Sequence, residues 1–219
     1  MFIELVDALR CPNEHEESWL VLASTTLEDR HIREGVLGCP VCLAEYPIRA
    51  GIVDFRRERE TTIRRADGGA PPTAGAASMV STEQLAAMLS LPEALGFAVL
   101  TGGWCRHADA LDALIDAPPL LLVDPPTWVT MRPGLSGLLA DERLPLAVGA
   151  ARAVAVDETS MRRVESAAEC TRVGGHVIAP VVASVPKSVR ELARDGAVWV
   201  GAREATTSGL VSLHVRRGL

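Results

Sequence analysis

Three of the five cysteines fall within the first 42 residues, as Cys11-Pro-Asn-Glu-His15 and Cys39-Pro-Val-Cys42. A Cys-x2-Cys turn lets two thiolates face one point, and the upstream Cys-x3-His supplies two more ligands. Three sulfurs and an imidazole in tetrahedral array suit Zn2+. His15 is favoured over His31 for the fourth place, because it stands where a knuckle ligand is expected. With Cys11, His15, Cys39 and Cys42 all coordinated, no position stays open, so the expected zinc is structural rather than catalytic. Between the half-sites, SWLVLAS and REGVLGC read as paired strands, a ribbon closed by the metal. Any single cysteine is more often a buried apolar thiol. These spacings outweigh that reading.

An odd cysteine count argues against a disulfide framework. With 48% hydrophobic and 23% charged residues, the 219-residue chain has enough apolar surface for a core, in one medium domain or two small ones. No run approaches the roughly 20 apolar residues of a membrane span. MFIELVDALRCP at the start lacks a basic region and carries acids, unlike a secretory signal. A cytoplasmic location is therefore the expectation. A net charge of −6 and a pI near 5.4 argue against direct nucleic-acid binding through a basic footprint. Aromatic residues make up only 4%, so the core must rest on Val, Leu, Ile and Ala, as in a parallel sheet covered by small-residue helices.

Residues 57–80 begin as a charge run and end rich in Gly, Pro, Ala and Ser, which reads as a linker. Residues 1–56 then form a zinc-ribbon domain and residues 81–219 an α/β domain. In the latter, Ser81 can cap a helix over TEQLAAMLS. Strands are expected at 97–101, 119–124, 135–140, 153–157, 176–182, 197–201 and 210–215. HADALDALID, SMRRVESAAECTR and PKSVRELARD are expected as helices between them. The alternation implies βαβ crossovers and a mostly parallel sheet, closed by a hairpin of the last two strands.

The helix IELVDAL leading into Cys11-Pro12, the CPVC knuckle, and the run Tyr46-Pro47-Ile48-Arg49-Ala50-Gly51-Ile52 resemble a zinc-ribbon family. Its members are small activator proteins of tRNA and protein methyltransferases and their short bacterial relatives. The resemblance covers residues 2–55. It departs at His15, where a cysteine is usual, and at Val53, where a proline is usual. It implies a docking module that binds or stabilises a methyltransferase domain.

Residues 81–219 resemble, in outline, a class I S-adenosylmethionine-dependent methyltransferase. Glu169-Cys-Thr-Arg172-Val173-Gly174-Gly175-His176 is similar to the junction before the fifth strand, and Asp141-Glu-Arg-Leu144-Pro145-Leu146 to the stretch between the third and fourth. That resemblance implies a Rossmann-like, methyltransferase-type sheet with a small N-terminal zinc-ribbon domain. It also implies cofactor contacts at Gly102, Gly103, Asp124 and Asp141. Cofactor binding in such a fold needs a glycine-rich turn for close backbone approach and an acid for the ribose. Here the turn reads Thr101-Gly102-Gly103-Trp104-Cys105-Arg106: the acid has become Thr101, and bulky Trp104 and Arg106 stand where approach is required. Arg152 replaces another expected acid, and about 140 residues leave little wall for a pocket.

Asp124-Pro125-Pro126-Thr127-Trp128 follows the wrong strand for an amino-methyltransferase motif, and Cys105 with His107 is too weak a pattern for a catalytic dyad. GxGxxG and P-loop signatures are absent. No catalytic residue is assigned. The expectation is a non-catalytic, zinc-containing interaction or partner subunit, joined to another protein or to itself, with no membrane and no direct nucleic-acid contact. The alternative is an active S-adenosylmethionine-dependent methyltransferase with an atypical cofactor loop.

Overall fold

A two-residue turn with positive φ at both centres twists in the sense of the strands it joins. Two such turns shape the start of the chain. Asp29 (φ 46°) and Arg30 (φ 63°) join β1 (Val21–Glu28) to β2 (His31–Gly38), and Ala50 (φ 48°) and Gly51 (φ 78°) join β3 (Glu45–Arg49) to β4 (Ile52–Asp54). Each fixes its register, Glu28 opposite His31 and Arg49 opposite Ile52. SWLVLAS and REGVLGC thus supply antiparallel neighbours as their alternation predicts. IELVDAL folds as a 3-10 helix, Ile3–Ala8, rather than an α-helix.

The computed structural model describes residues 1–57, 75–91, 96–114 and 118–205. The remaining elements are α1 (Ala76–Met79), α2 (Thr82–Met88), β5 (Ala98–Thr101), α3 (Ala108–Asp112), β6 (Leu120–Val123) and β7 (Leu135–Leu139). They continue with β8 (Ala151–Ala155), α4 (Val164–Cys170), β9 (Thr171–Pro180), β10 (Val189–Arg194) and β11 (Val198–Arg203). All eleven strands belong to one sheet, ordered β1-β2-β3-β4-β7-β6-β5-β8-β9-β11-β10. From β4 to β9 in that order every pairing is parallel, and the pairings at both ends are antiparallel. β5, β6, β7 and β8 are buried at every position, in keeping with their richness in Val, Leu and Ala, broken only by Thr101, Ser136, Gly137 and Arg152.

This overturns the expected Rossmann-like α/β sheet with a small separate zinc-ribbon domain. The sheet is a single mixed one, helices account for only 23% of the described residues, and none of these helices exceeds seven residues. The physical reason is the seam between β4 and β7. Ile52, Val53 and Asp54 pair in parallel with Gly137, Leu138 and Leu139, and the Phe55 N–H continues the ladder onto the Leu139 carbonyl at 2.9 Å. Gly137 makes room: a Cβ there would stand 2.8 Å from Ile52 Cγ1. Cores merge as well. One face of the sheet packs Val99, Leu121, Leu138 and Val154 with Leu5 in the N-terminal 3-10 helix, Leu9 at its end, and Ile32, Leu37, Tyr46 and Ile48 from β2 and β3. The other face packs Ala98, Leu100, Leu120 and Leu122 against Leu85, Leu111 and Trp104.

Two further expectations fail. PKSVRELARD is not a helix: its second half is β10, an edge strand pairing antiparallel with β11. Val189, Leu192 and Ala193 have helical spacing, but only Val189 is buried, and pairing with β11 overrides the weak propensity of so short a segment. Arg190, Glu191 and Arg194 are exposed and charge this strand, which is the last in the order among the described residues. β10 and β11 form an antiparallel pair, and the strand expected at 210–215, with the hairpin it was to make, lies outside the described residues, as does most of the 57–80 linker. SMRRVESAAECTR begins as a 3-10 turn, Glu158–Arg163, before α4. Ser81 caps α2 in a reciprocal box with Gln84, as its position predicts. Among the described residues no helix is long and apolar enough to cross a membrane.

Candidate metal centre

Cys11 follows the Ile3–Ala8 turn, where the chain is fixed by hydrogen bonds of Arg10 N to Pro145 O and Ala147 N to Ala8 O, at 2.9 and 2.8 Å. Cys39 and Cys42 sit in the knuckle between β2 and β3. There Leu43 N donates to Cys39 O (3.0 Å), Cys39 N to Ala44 O (2.8 Å), and Leu43 turns left-handed at φ 60°. These anchors bring one ligand atom each from Cys11, His15, Cys39 and Cys42 to within 4.8 Å of one another. Cys11 Sγ lies 3.6 Å from Cys42 Sγ, and His15 Nε2 lies 3.4 Å from Cys39 Sγ. Three thiols and an imidazole so gathered are a donor set that can bind zinc.

Outer contacts suit that role. The His15 Nδ1–H donates to the Glu16 carbonyl at 2.6 Å, which fixes the tautomer and leaves Nε2 to face the sulfurs. That carbonyl also raises the imidazole pKa above its ordinary value. The Asn13 amide donates to Cys42 Sγ at 3.3 Å and, with the Ala44 N–H, pulls that thiol down to about 6. Burial pushes Cys11 up to about 11, outweighing the Tyr46 hydroxyl 3.1 Å away. Tyr46 is itself buried against Phe55, ring centroids 4.6 Å apart, and burial raises its phenol. His31 stands apart from the group, with Nε2 3.2 Å from the Leu135 carbonyl.

The second place to search is the crevice beyond the carboxyl ends of β5 and β8, where the order of the parallel strands reverses and ligands of open sheets are bound. Here the chain's own groups meet there. Asp157, buried after β8, accepts from Gly103 N–H at 2.9 Å and from the Thr159 hydroxyl at 2.9 and 3.0 Å, while its own N–H donates to Thr101 Oγ1 at 3.1 Å. Gly102, at φ 49°, admits that carboxylate: a Cβ would lie 2.1 Å from Asp157 Oδ2. Trp104 is fully buried and donates through Nε1 to Val156 O at 3.1 Å.

Asp124 pairs with Arg163 at 2.6 Å and accepts from Ala140 N–H at 3.2 Å; burial nonetheless raises its pKa. Asp141 accepts from the Arg57 N–H at 3.0 Å. Gly103, Asp124 and Asp141 thus each take part in a hydrogen bond within the chain, and Gly102 packs on Asp157. The crevice left between Gly102, Trp128 and Asp157 is about 180 Å3, against roughly 300 Å3 for the smaller known ligand pockets.

Cys105 and His107 form no dyad. Cys105 Sγ donates to the Leu100 carbonyl at 3.5 Å, and His107 is held between the Ala77 carbonyl and the Thr82 hydroxyl. His176 bonds the Met88 carbonyl from β9, and His214 lies outside the described residues. Asn13, Tyr46, Asp157 and Arg163 went unnoticed in the sequence. Asn13 lies inside the Cys11–His15 motif, and Tyr46, noted only for the family resemblance, lies four residues past Cys42, whereas nothing local signals the last two. No family model matches the chain, and no curated protein matches it.

Proposed function

We propose that this protein is a non-catalytic, zinc-containing interaction or partner subunit. The metal staples the N-terminal strands, and the work of the molecule is to stabilise or position another protein. The observation that carries this reading is the crevice at the reversal of strand order. Asp157 occupies the place a glycine turn keeps clear for a ligand, and Asp124 is spent on Arg163. A closed donor set of three thiols and one imidazole leaves no coordination position for substrate, which supports a structural metal. The resemblance of residues 2–55 to methyltransferase-activating ribbons makes a methyltransferase the first partner to test.

Calorimetric titration of the zinc-replete chain with S-adenosylmethionine tests the non-catalytic reading. No binding heat is expected up to millimolar ligand. Micromolar affinity that disappears in Asp124→Ala would mean the crevice opens to a cofactor, and the proposal would fall.

A further inference from the structure

We propose that Cys42 and Cys11 form a disulfide when a peroxide reaches the metal centre, converting a metal staple into a covalent one. The inference rests on the zinc reading for its starting state, but the thiol pairing stands on its own geometry. The two sulfurs lie 3.6 Å apart, already close to bonding partners once one is oxidised. Their accessibilities divide the labour. Cys42 is exposed and is the sulfur a peroxide meets first, whereas Cys11 is half-buried beneath it. Cys39 is 2% exposed and faces His15 Nε2, so it is shielded as the peroxide's first target.

The chemistry balances. Cys42 sulfur attacks the peroxide, an S–O bond forms, the O–O bond breaks, and water or an alcohol leaves. Cys11 sulfur then attacks the Cys42 sulfenic sulfur, an S–S bond forms, the S–O bond breaks, and the hydroxide departs as water with a proton from solvent, because the metal-bound sulfurs are thiolates. Two thiols give up two electrons and one peroxide takes them. Loss of two thiolate ligands releases the zinc.

Position in the fold gives the step its consequence. A Cys39–Cys42 bridge would close only the knuckle on itself. Cys11 lies ahead of β1 and Cys42 between β2 and β3, so their bridge ties the same two segments that the metal ties. Oxidised protein should therefore lose its metal and keep its sheet. Cys105 and Cys170 are buried and should stay reduced, serving as internal references.

The test treats the full-length, zinc-loaded chain with equimolar hydrogen peroxide. Zinc release is read with a chromogenic chelator, and disulfides are mapped by peptide mass spectrometry. The expected result is loss of about one zinc per chain, a Cys11–Cys42 crosslink as the main oxidised product, unchanged far-ultraviolet circular dichroism, and reversal by dithiothreitol with zinc. A Cys39–Cys42 crosslink, or sulfinic acid at Cys42 with no crosslink, overturns the proposal while leaving the zinc reading intact. Protein that holds no zinc yet forms the Cys11–Cys42 bridge supports the pairing and removes the metal reading instead. Wild-type mapping needs no cysteine variant, so a misfolded mutant cannot obscure the answer.

Discussion

Replacing Gly102 by alanine separates two explanations of the same glycine. If the residue clears space for an external ligand, a methyl group there costs the apo protein only the backbone part, about 1–2 kcal/mol. If it clears space for Asp157, the cost falls on the fold. At φ 49° a Cβ would lie 2.1 Å from Oδ2, 2.5 Å from Cγ and 2.6 Å from Oδ1, where ordinary contact begins near 3.4 Å. The carboxylate must retreat by about 1 Å, which breaks its 2.9 Å bond from Gly103 N–H and strains those from Thr159.

Losing one hydrogen bond to a buried charge costs about 1.5–3 kcal/mol, and a left-handed alanine adds about 1–2 kcal/mol. The expected destabilisation is therefore about 2.5–5 kcal/mol, a large share of the 5–15 kcal/mol typical of a folded domain. Urea denaturation at fixed free zinc measures it. The same substitution in an Asp157→Ala background should cost only the backbone part, about 1–2 kcal/mol. A loss of no more than about 2 kcal/mol for Gly102→Ala, the backbone part alone, would refute the reasoning, as would a full penalty that persists without Asp157.

Arg163→Met should remove about 2–3 kcal/mol, because it leaves Asp124 partly buried without its cation and strips donors from the Ala140 and Asp141 carbonyls; a change below 0.5 kcal/mol by urea midpoint would contradict this. Stability should fall as pH drops through about 6.5 toward 5. Burial holds the pKa of His107, and of His31, below the ordinary value, so the unfolded chain binds protons that the folded chain does not. The difference between wild type and His107→Gln at constant zinc isolates one of these groups. A urea-midpoint difference that does not change between pH 7.5 and 5.5 would sink the assignment.

Local chemistry made parts of this architecture legible in the sequence. Cys39-Pro-Val-Cys42 encodes its own turn, and Ser81 encodes its cap with Gln84, because both partners lie within three residues. Apolar runs such as LLLV announce strands buried on both faces. What escaped notice is decided at a distance. Pairing of β4 with β7 joins residues about 85 positions apart and turns an expected separate domain into part of one sheet. β10 has helical spacing in sequence and becomes a strand only because β11 offers it a ladder. Gly102 and Gly103 look like remnants of a ligand loop until Asp157, more than 50 residues on, is placed against them. A glycine reports that something comes close; the sequence does not say what.

The most direct test of the account is a zinc titration of the chelator-stripped chain, with metal content and thermal unfolding measured together. One metal site among the described residues predicts saturation at about one zinc per chain, with the melting temperature rising as free zinc exceeds its dissociation constant. Cys39→Ala should abolish both. Stoichiometry well below one, or a melting temperature indifferent to zinc and to chelation, would contradict the claim that the metal holds the N-terminal strands in the sheet.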